Sequence, residues 1–112
     1  MKVAVFDLGS NTTKLLVSEV DGSSVRRVLA EESRACRLTA GGGEKIRFTE
    51  KSIERTLGVL GELMEIAKVH NVQRTKAVAT EAFRRSDNSH ELISLAKESL
   101  DLSISILSGS EE

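Results

Sequence analysis

The sequence predicts an α/β fold in which a mixed five-stranded sheet carries helices in the order β-β-β-α-β-α-β. The chain opens with a continuous apolar run, its middle carries apolar residues three and four positions apart, and two later apolar runs each follow a helical segment. The length of 112 residues suits one domain, so we assign residues 1–112 to a single domain.

The amino-terminal part is predicted to form an antiparallel meander. Val3–Phe6 indicates a strand covered on both faces, and Lys14–Val20 is also strand-like. Asp21-Gly22 is a strong hairpin signal after this second strand. The third strand extends from Val25 to about Leu38, and its many charges would protect an exposed sheet edge from pairing with another chain.

A loop from Thr39 to Phe48 leads into the first helix, for which Thr49 is the predicted N-cap. The helix is expected to reach about His70, and Asn71 fits the left-handed position that ends a helix. One apolar stripe is formed by Ile53, Leu57, Leu60, Met64 and Ala67.

Two groups of glycines are interpreted by their position. Gly58 and Gly61 lie within the predicted helix, where we expect them to allow close packing on the sheet. Gly41–Gly43 lies between the third strand and this helix, so we interpret it as a flexible connection and not as a phosphate loop.

The second half alternates strands and helices. Lys76–Ala79 is predicted as a strand, followed by a short helical segment near 82–85 and a helix from Asn88 or Ser89 to about Ser99. The apolar residues of this last helix are Leu92, Ile93, Leu95 and Ala96. The final strand is marked by the alternating residues Leu102, Ile104 and Ile106. We expect the first strand to lie centrally, with the later strands parallel to it through right-handed crossovers.

The composition limits the possible classes of function. The 16 Lys and Arg residues balance 17 Asp and Glu residues, so no basic excess indicates binding to nucleic acid. No apolar run is long enough to cross a membrane. Cys36 is the single cysteine and cannot form an internal disulfide, which suits the cytoplasm.

Three segments follow predicted parallel strands or the first strand: residues 7–14, 80–88 and 108–112. Ligands of open α/β sheets collect beyond these carboxyl ends. The first segment holds the phosphate-binding candidates Gly9, Ser10, Asn11 and Thr12. Their amides and hydroxyls can cradle phosphate, Lys14 adds a positive charge, and Asp7 can hold a hydrated divalent cation. The same residues equally suit an ordinary hairpin turn.

The other two segments carry candidate catalytic groups. Arg84 can grip a phosphate through two parallel hydrogen bonds, and Glu111 or Glu112 can act as a general base that activates water. Taken one at a time, these side chains also suit a solvated surface.

Three motifs occur in order at these places: Asp7-Leu8-Gly9-Ser10-Asn11-Thr12, Ala79-Thr80-x-Ala82-Phe83-Arg84-x-x-x-Asn88 and Ile106-Leu107-Ser108-Gly109-x-Glu111-Glu112. Together they resemble the amino-terminal domain of the Ppx-GppA phosphatases, the exopolyphosphatase and guanosine pentaphosphate phosphohydrolase family. Arg37-Leu38 and Phe48–Leu57 are also similar to this family, so the resemblance covers the whole chain.

The resemblance implies a ribonuclease-H-like domain of the actin, sugar-kinase and chaperone ATPase superfamily. It implies that the chain is the amino-terminal half of a two-domain phosphatase whose second domain is absent. The intact enzyme would hydrolyse terminal phosphoanhydride bonds of inorganic polyphosphate or guanosine pentaphosphate, using Mg²⁺ and water. Association of two copies of the chain as a homodimer is a further hypothesis about its partners.

By matching positions, the resemblance assigns Asp7 to the metal and the loop of Gly9, Ser10, Asn11 and Thr12, with Lys14, to phosphate. Arg84 would hold the phosphate chain at the catalytic centre, and Glu112 would be the catalytic carboxylate. Glu81 departs from the family, which usually has Ser or Thr there, and Arg85 is expected to offset its charge.

Two alternatives stay open. The stretch Gly9-Ser10-x-Thr12-Thr13-Lys14 is similar to the ATPase activators of 2-hydroxyacyl-CoA dehydratases, although these bring cysteine ligands and only Cys36 is present here. The domain can also be a non-catalytic module that binds phosphate or a protein partner.

Overall fold

The computed structural model describes residues 1–38 and 46–108. Its elements are β1 (Lys2–Leu8), β2 (Thr12–Asp21), β3 (Ser24–Ala35), α1 (Glu50–Val69), β4 (Arg74–Ala79), α2 (Glu81–Arg85), α3 (Ser89–Leu100) and β5 (Ile104–Ile106). This is the predicted order, with the short helical segment present as α2. None of the helices in these ranges combines the length and the apolar character that a membrane span requires.

The five strands form one mixed sheet in the order β3-β2-β1-β4-β5. The central strand β1 pairs antiparallel with β2 and parallel with β4, and β5 is parallel to β4. The predicted fold class and the central position of the first strand are therefore confirmed. The charged strand β3 lies at the edge, as its charges predicted, and it ends at Ala35 and not near Leu38.

The helices contribute to one core on one face of the sheet. Ala4, Phe6 and Leu8 of β1 are buried in the same cluster as the inward residues of α1 and α3. On the opposite face of β1, Val3 and Val5 are only half-buried and Asp7 is exposed. The prediction that this strand is covered on both faces is wrong for the described residues, because α1 and α3 pack beside each other on a single face.

Helix α1 begins and ends as predicted, but its glycines do not face the sheet. The hydroxyl of Thr49 accepts a 3.1 Å hydrogen bond from the amide of Ser52, and Asn71 has a left-handed φ of 56°. A Cβ atom at Gly58 would meet nothing within 4 Å, and one at Gly61 would lie 3.9 Å from Leu100 of α3. The expected close packing of these glycines on the sheet is therefore wrong, since neither position points towards a strand.

The part of the loop before α1 that the structure describes packs into the core. Phe48 is buried, and its ring meets the ring of Phe83 edge to face, with centroids 5.1 Å apart. Asn88 holds the same residue through its side chain, which accepts from the amide of Phe48 and donates to its carbonyl, both at 2.9 Å. The expectation of a flexible connection at Gly41–Gly43 lies outside the described residues.

Two predicted core residues lie partly at the surface. Leu95 of α3 is 37% exposed because it borders an open groove between α1 and α3, and Ile106 is 40% exposed on the edge strand β5.

Helix α3 is capped at its carboxyl end by Asp101, which has a left-handed φ of 53°. A 2.8 Å hydrogen bond from Lys97, together with its positive charge, lowers the pKa of the exposed Asp101 carboxyl.

We predict that Thr13→Val stabilises the fold. Thr13 of β2 is fully buried, and its hydroxyl has no hydrogen-bond partner in the part of the chain that the structure describes. An unsatisfied buried polar group costs about 1–3 kcal/mol, so replacing the hydroxyl by a methyl group should raise the free energy of unfolding by about 1 kcal/mol. Urea denaturation measures this change.

Thr56→Val is the matched control. Thr56 is equally buried, but its hydroxyl donates a 2.8 Å hydrogen bond to the carbonyl of Ser52. Its loss should lower the free energy of unfolding by about 1 kcal/mol. If both variants were destabilised to the same extent, the hydroxyl of Thr13 would not be unsatisfied in solution.

Candidate functional site

A surface pocket of about 340 Å³ lies at the carboxyl ends of β1 and β4. It is lined by Asp7, Gly9, Ser10, Asn11, Thr12, Lys14 and Thr80. The parallel pairing of β1 with β4 brings these residues together, because Leu8 pairs with Ala79 and the two chains leave the sheet side by side. The structure thus unites the residues of the predicted phosphate loop with the predicted metal and lysine positions in one place.

The predicted phosphate loop, Gly9–Thr12, hereafter called the phosphate loop, is a tight connection between β1 and β2. The amide of Gly9 donates a 3.0 Å hydrogen bond to the carbonyl of Thr12. A Cβ atom at Gly9 would lie 3.1 Å from that same carbonyl oxygen. Only glycine fits this close approach of two backbone segments without a displacement.

The loop rests on a backing segment, Cys36–Leu38, which follows β3. The carbonyl of Ser10 accepts a 2.8 Å hydrogen bond from the last amide of the backing segment, and the carbonyl of Asn11 accepts bonds of 2.8 and 3.1 Å from the first two. In a planar trans peptide, each carbonyl points opposite to the amide that follows it. The amides of Asn11 and Thr12 are therefore directed away from the backing segment. Successive amides of a tight turn can make an anion-binding concavity.

Asp7 and Lys14 flank the loop with opposite charges. They are paired residues of the β1–β2 ladder, both exposed, and both line the pocket. Lys14 supplies a compact cation suited to phosphate. The pocket therefore combines a cation, a carboxylate and the loop backbone at the turn end of one hairpin.

The donor set fits Mg²⁺ in one particular way. The described residues contain no group of three His, Cys, Asp or Glu side chains that would hold a metal by themselves. Mg²⁺ keeps several waters and is usually bound through one or two carboxylates together with phosphate oxygens of a substrate. The single carboxylate of Asp7 beside the phosphate loop suits an ion that arrives with a phosphate ligand.

Arg84 lies on α2, which begins directly after Thr80. Its guanidinium donates a 2.6 Å hydrogen bond to the carbonyl of Leu107, just past β5. Arg84 is not among the described residues that line the pocket, and this hydrogen bond sets its guanidinium beside Leu107. The predicted catalytic residue Glu112, and Glu111 beside it, lie outside the described residues.

Thr80 is the lining residue that sequence reasoning did not assign a role. The signal for it was its position directly after a strand parallel to β1. Its carbonyl accepts a 3.0 Å hydrogen bond from the amide of Phe83, which starts α2.

Within α2, the guanidinium of Arg85 lies 3.7 Å from the carboxylate of Glu81. This ion pair is consistent with the expectation that Arg85 offsets the charge of Glu81.

Comparison with known proteins gives one consistent result. The model of the Ppx/GppA phosphatase family matches residues 16–112. Exopolyphosphatase 2 of Mycobacterium tuberculosis is 29% identical over 99% of the chain and 37% of its own length. The guanosine-5′-triphosphate,3′-diphosphate pyrophosphatase of Aeromonas hydrophila is 34% identical over 97% of the chain and 22% of its own length.

Solved structures agree with the sequence relatives. The crystal structure of an exopolyphosphatase from Cytophaga hutchinsonii superposes with a TM-score of 0.92 at 28% identity, covering 100% of this chain and 36% of that protein. The chain thus spans from about a fifth to somewhat over a third of the length of these relatives.

We predict that Gly9→Ala weakens the phosphate loop. The added Cβ would press on a backbone oxygen that the amide of Gly9 itself holds, so the two segments must separate. We expect the free energy of unfolding to fall by about 1 kcal/mol or more and amide exchange at residue 9 to accelerate. Urea denaturation and NMR exchange measurements check these two effects.

Gly58→Ala controls for the general effect of replacing glycine. It lies in open space on α1, so better helix propensity should raise the free energy of unfolding by up to about 1 kcal/mol. An increase in stability for both variants would mean that Gly9 is not needed for the close approach.

Proposed function

The chain belongs to the Ppx/GppA phosphatase family, and we propose that it forms one wall of the catalytic cleft of a phosphoanhydride hydrolase. The substrate would be inorganic polyphosphate or guanosine pentaphosphate, the compounds indicated by the names of its relatives. The observation that carries the proposal is the pocket in which the phosphate loop, Asp7 and Lys14 surround one space.

We further propose a cytoplasmic location, because the chain's single cysteine is free and buried and a reducing compartment suits a free thiol.

The pocket supports the binding of a phosphate chain in two ways. The outward amides of Asn11 and Thr12 are neutral donors that suit the oxygens of a terminal phosphate, and Lys14 adds an attractive charge. The carboxylate of Asp7 would repel the same anion unless a cation lies between them. Asp7 would hold Mg²⁺ together with a phosphate ligand, and the ion would supply neutralisation of negative charge during phosphoryl transfer.

The remaining chemistry would come from the second and third segments and from outside the chain. The role of Arg84 in gripping the phosphate chain rests on its shared Ala-Thr-x-Ala-Phe-Arg motif, and the hydrogen bond to the carbonyl of Leu107 holds its guanidinium near the end of β5. Glu112 follows five residues later in the sequence, and its role as the base that activates water rests on the Ser-Gly-x-Glu-Glu motif alone. We propose that a second domain closes the cleft opposite the pocket, because the relatives are longer than this chain.

We predict that the 112-residue chain binds tripolyphosphate weakly and through the phosphate loop. In an NMR titration with Mg²⁺, the amides of residues 9–14 should shift first, and binding should weaken as salt is added. Lys14→Gln should raise the Kd about tenfold because a charged contact to phosphate is lost. Lys68→Gln, which removes the same charge near the end of α1, should leave the Kd within about twofold. Shifts concentrated away from residues 9–14 would contradict this assignment.

A chimera tests the proposed reaction. In the Cytophaga hutchinsonii exopolyphosphatase, the third that matches this chain is replaced by residues 1–112, and phosphate release from polyphosphate, guanosine pentaphosphate and ATP is compared. We expect activity on one or both of the first two substrates. Hydrolysis of ATP alone would favour an ATPase activator, and binding without any turnover would favour a non-catalytic module.

In the same chimera, Glu112→Gln keeps the size of the side chain but removes the base. We expect kcat to fall by about 10²–10⁴-fold with little change in KM. Glu111→Gln is the matched control and should keep kcat within about threefold of the parent, well short of that range. The reverse result would transfer the role of the base to Glu111.

A further inference from the structure

Arg55 of α1 reaches the backing segment behind the phosphate loop. Its Nη1 donates a 3.1 Å hydrogen bond to the carbonyl of Cys36 and lies 3.5 Å from the carbonyl of Arg37. Among the described residues, Arg55 does not line the pocket, and its hydrogen bonds go to this segment and not to the loop itself. Neither the proposed reaction nor the shared family motifs gives it a task.

The hydrogen bonds behind the loop form two chains of peptide groups that start at Arg55. In the first chain, the guanidinium binds the carbonyl of Cys36, and the amide of the same peptide group, on Arg37, donates to the carbonyl of Asn11 at 3.1 Å. In a planar trans peptide the carbonyl and amide point in opposite directions, so the chain continues outwards through the amide of Thr12.

The second chain runs beside the first. The same guanidinium nitrogen approaches the carbonyl of Arg37, and the amide of Leu38 donates to the carbonyl of Ser10 at 2.8 Å. This chain continues outwards through the amide of Asn11. Both chains therefore have Arg55 at one end and an outward amide of the phosphate loop at the other.

Hydrogen bonds in such chains polarise one another, and a charged donor at one end strengthens the effect. A cation that withdraws electron density from the carbonyl of Cys36 makes the next amide a better donor, and the same change passes to the loop. The backing segment also needs to be held, since Arg37 adopts a left-handed φ of 48°, which is unfavourable for a residue with a side chain. The buried side chains of Cys36 and Leu38 fix its two ends, and Arg55 fixes the carbonyls between them.

We propose that Arg55 is a positioning residue that aims and polarises the amides of Asn11 and Thr12 through the backing segment. The proposal rests on the proposed function in one respect, namely that these amides receive phosphate. The geometric part, that Arg55 holds the backing segment and through it the loop, stands on the hydrogen bonds alone.

The test compares the parent chain with Arg55→Gln, using NMR without ligand and with tripolyphosphate and Mg²⁺. Without ligand, amide exchange at residues 37 and 38 should accelerate by at least about tenfold, and the amide resonances of residues 11 and 12 should move. With ligand, the Kd should rise about fivefold, which corresponds to about 1 kcal/mol. The rise should persist in high salt, where direct attraction between distant charges is screened.

Two further variants separate positioning from charge. Arg27→Gln loses the same charge on β3, where Arg27 pairs with Glu19 near the far end of β2, and it should leave both the loop resonances and the Kd unchanged. Arg55→Lys keeps the charge but replaces the planar fork by a single ammonium. A Kd equal to that of the parent in Arg55→Lys would show that charge alone matters and would overturn the positioning role.

The outcomes distinguish the inference from the function beneath it. If the parent chain does not bind tripolyphosphate, the proposed phosphate site fails, while exchange and resonances in Arg55→Gln still decide whether Arg55 holds the loop. If the parent binds and Arg55→Gln matches it in exchange, resonances and Kd, the inference fails and the phosphate site stands. Exchange that accelerates equally throughout the central strands would indicate only a loss of global stability and would also overturn the inference.

Discussion

Strand β1 pairs with an antiparallel neighbour on one side and a parallel neighbour on the other. The antiparallel pairing folds the chain back at once, and this return creates the phosphate loop between β1 and β2. The parallel pairing brings the end of β4 to the same edge of the sheet and so sets Thr80 beside the loop. Without this double pairing, the residues that line the pocket would have no common location.

Side chains along β1 alternate between the core and the candidate site. Phe6 and Leu8 point into the core under the helices, while Asp7 between them points to the opposite face and borders the pocket. The same alternation in β2 buries Thr13 and exposes Lys14. A shift of one residue in either strand would bury the charges and expose the core, so packing of the helices fixes the charges of the site in place.

Side chains of the helices support the site by binding backbone groups behind it, and the described part of the pocket is not lined by helix residues. Arg55 of α1 binds the carbonyl of Cys36, which belongs to the backing segment that holds the loop. At the other side of the fold, the buried Asn88 binds both backbone groups of Phe48 and so joins the start of α1 to the turn between α2 and α3. An isolated buried amide is costly, and satisfying it at both ends makes this junction specific. The pocket is therefore held by hydrogen bonds that belong to the fold.

The sequence by itself determined the element order, the ends of α1 at Thr49 and Asn71, and the turn at Gly9–Thr12. These features depend on neighbouring residues, because caps, turns and apolar periodicity act over a few positions. Only the tertiary structure decided which face of the sheet the helices cover, where Gly58 and Gly61 point, and that Arg84 reaches the carbonyl of Leu107. Thr80 and Arg55 likewise gain their positions from contacts between segments far apart in the chain. Local periodicity indicates which side chains point inwards, but the residues that they contact depend on how distant segments of the chain pack together.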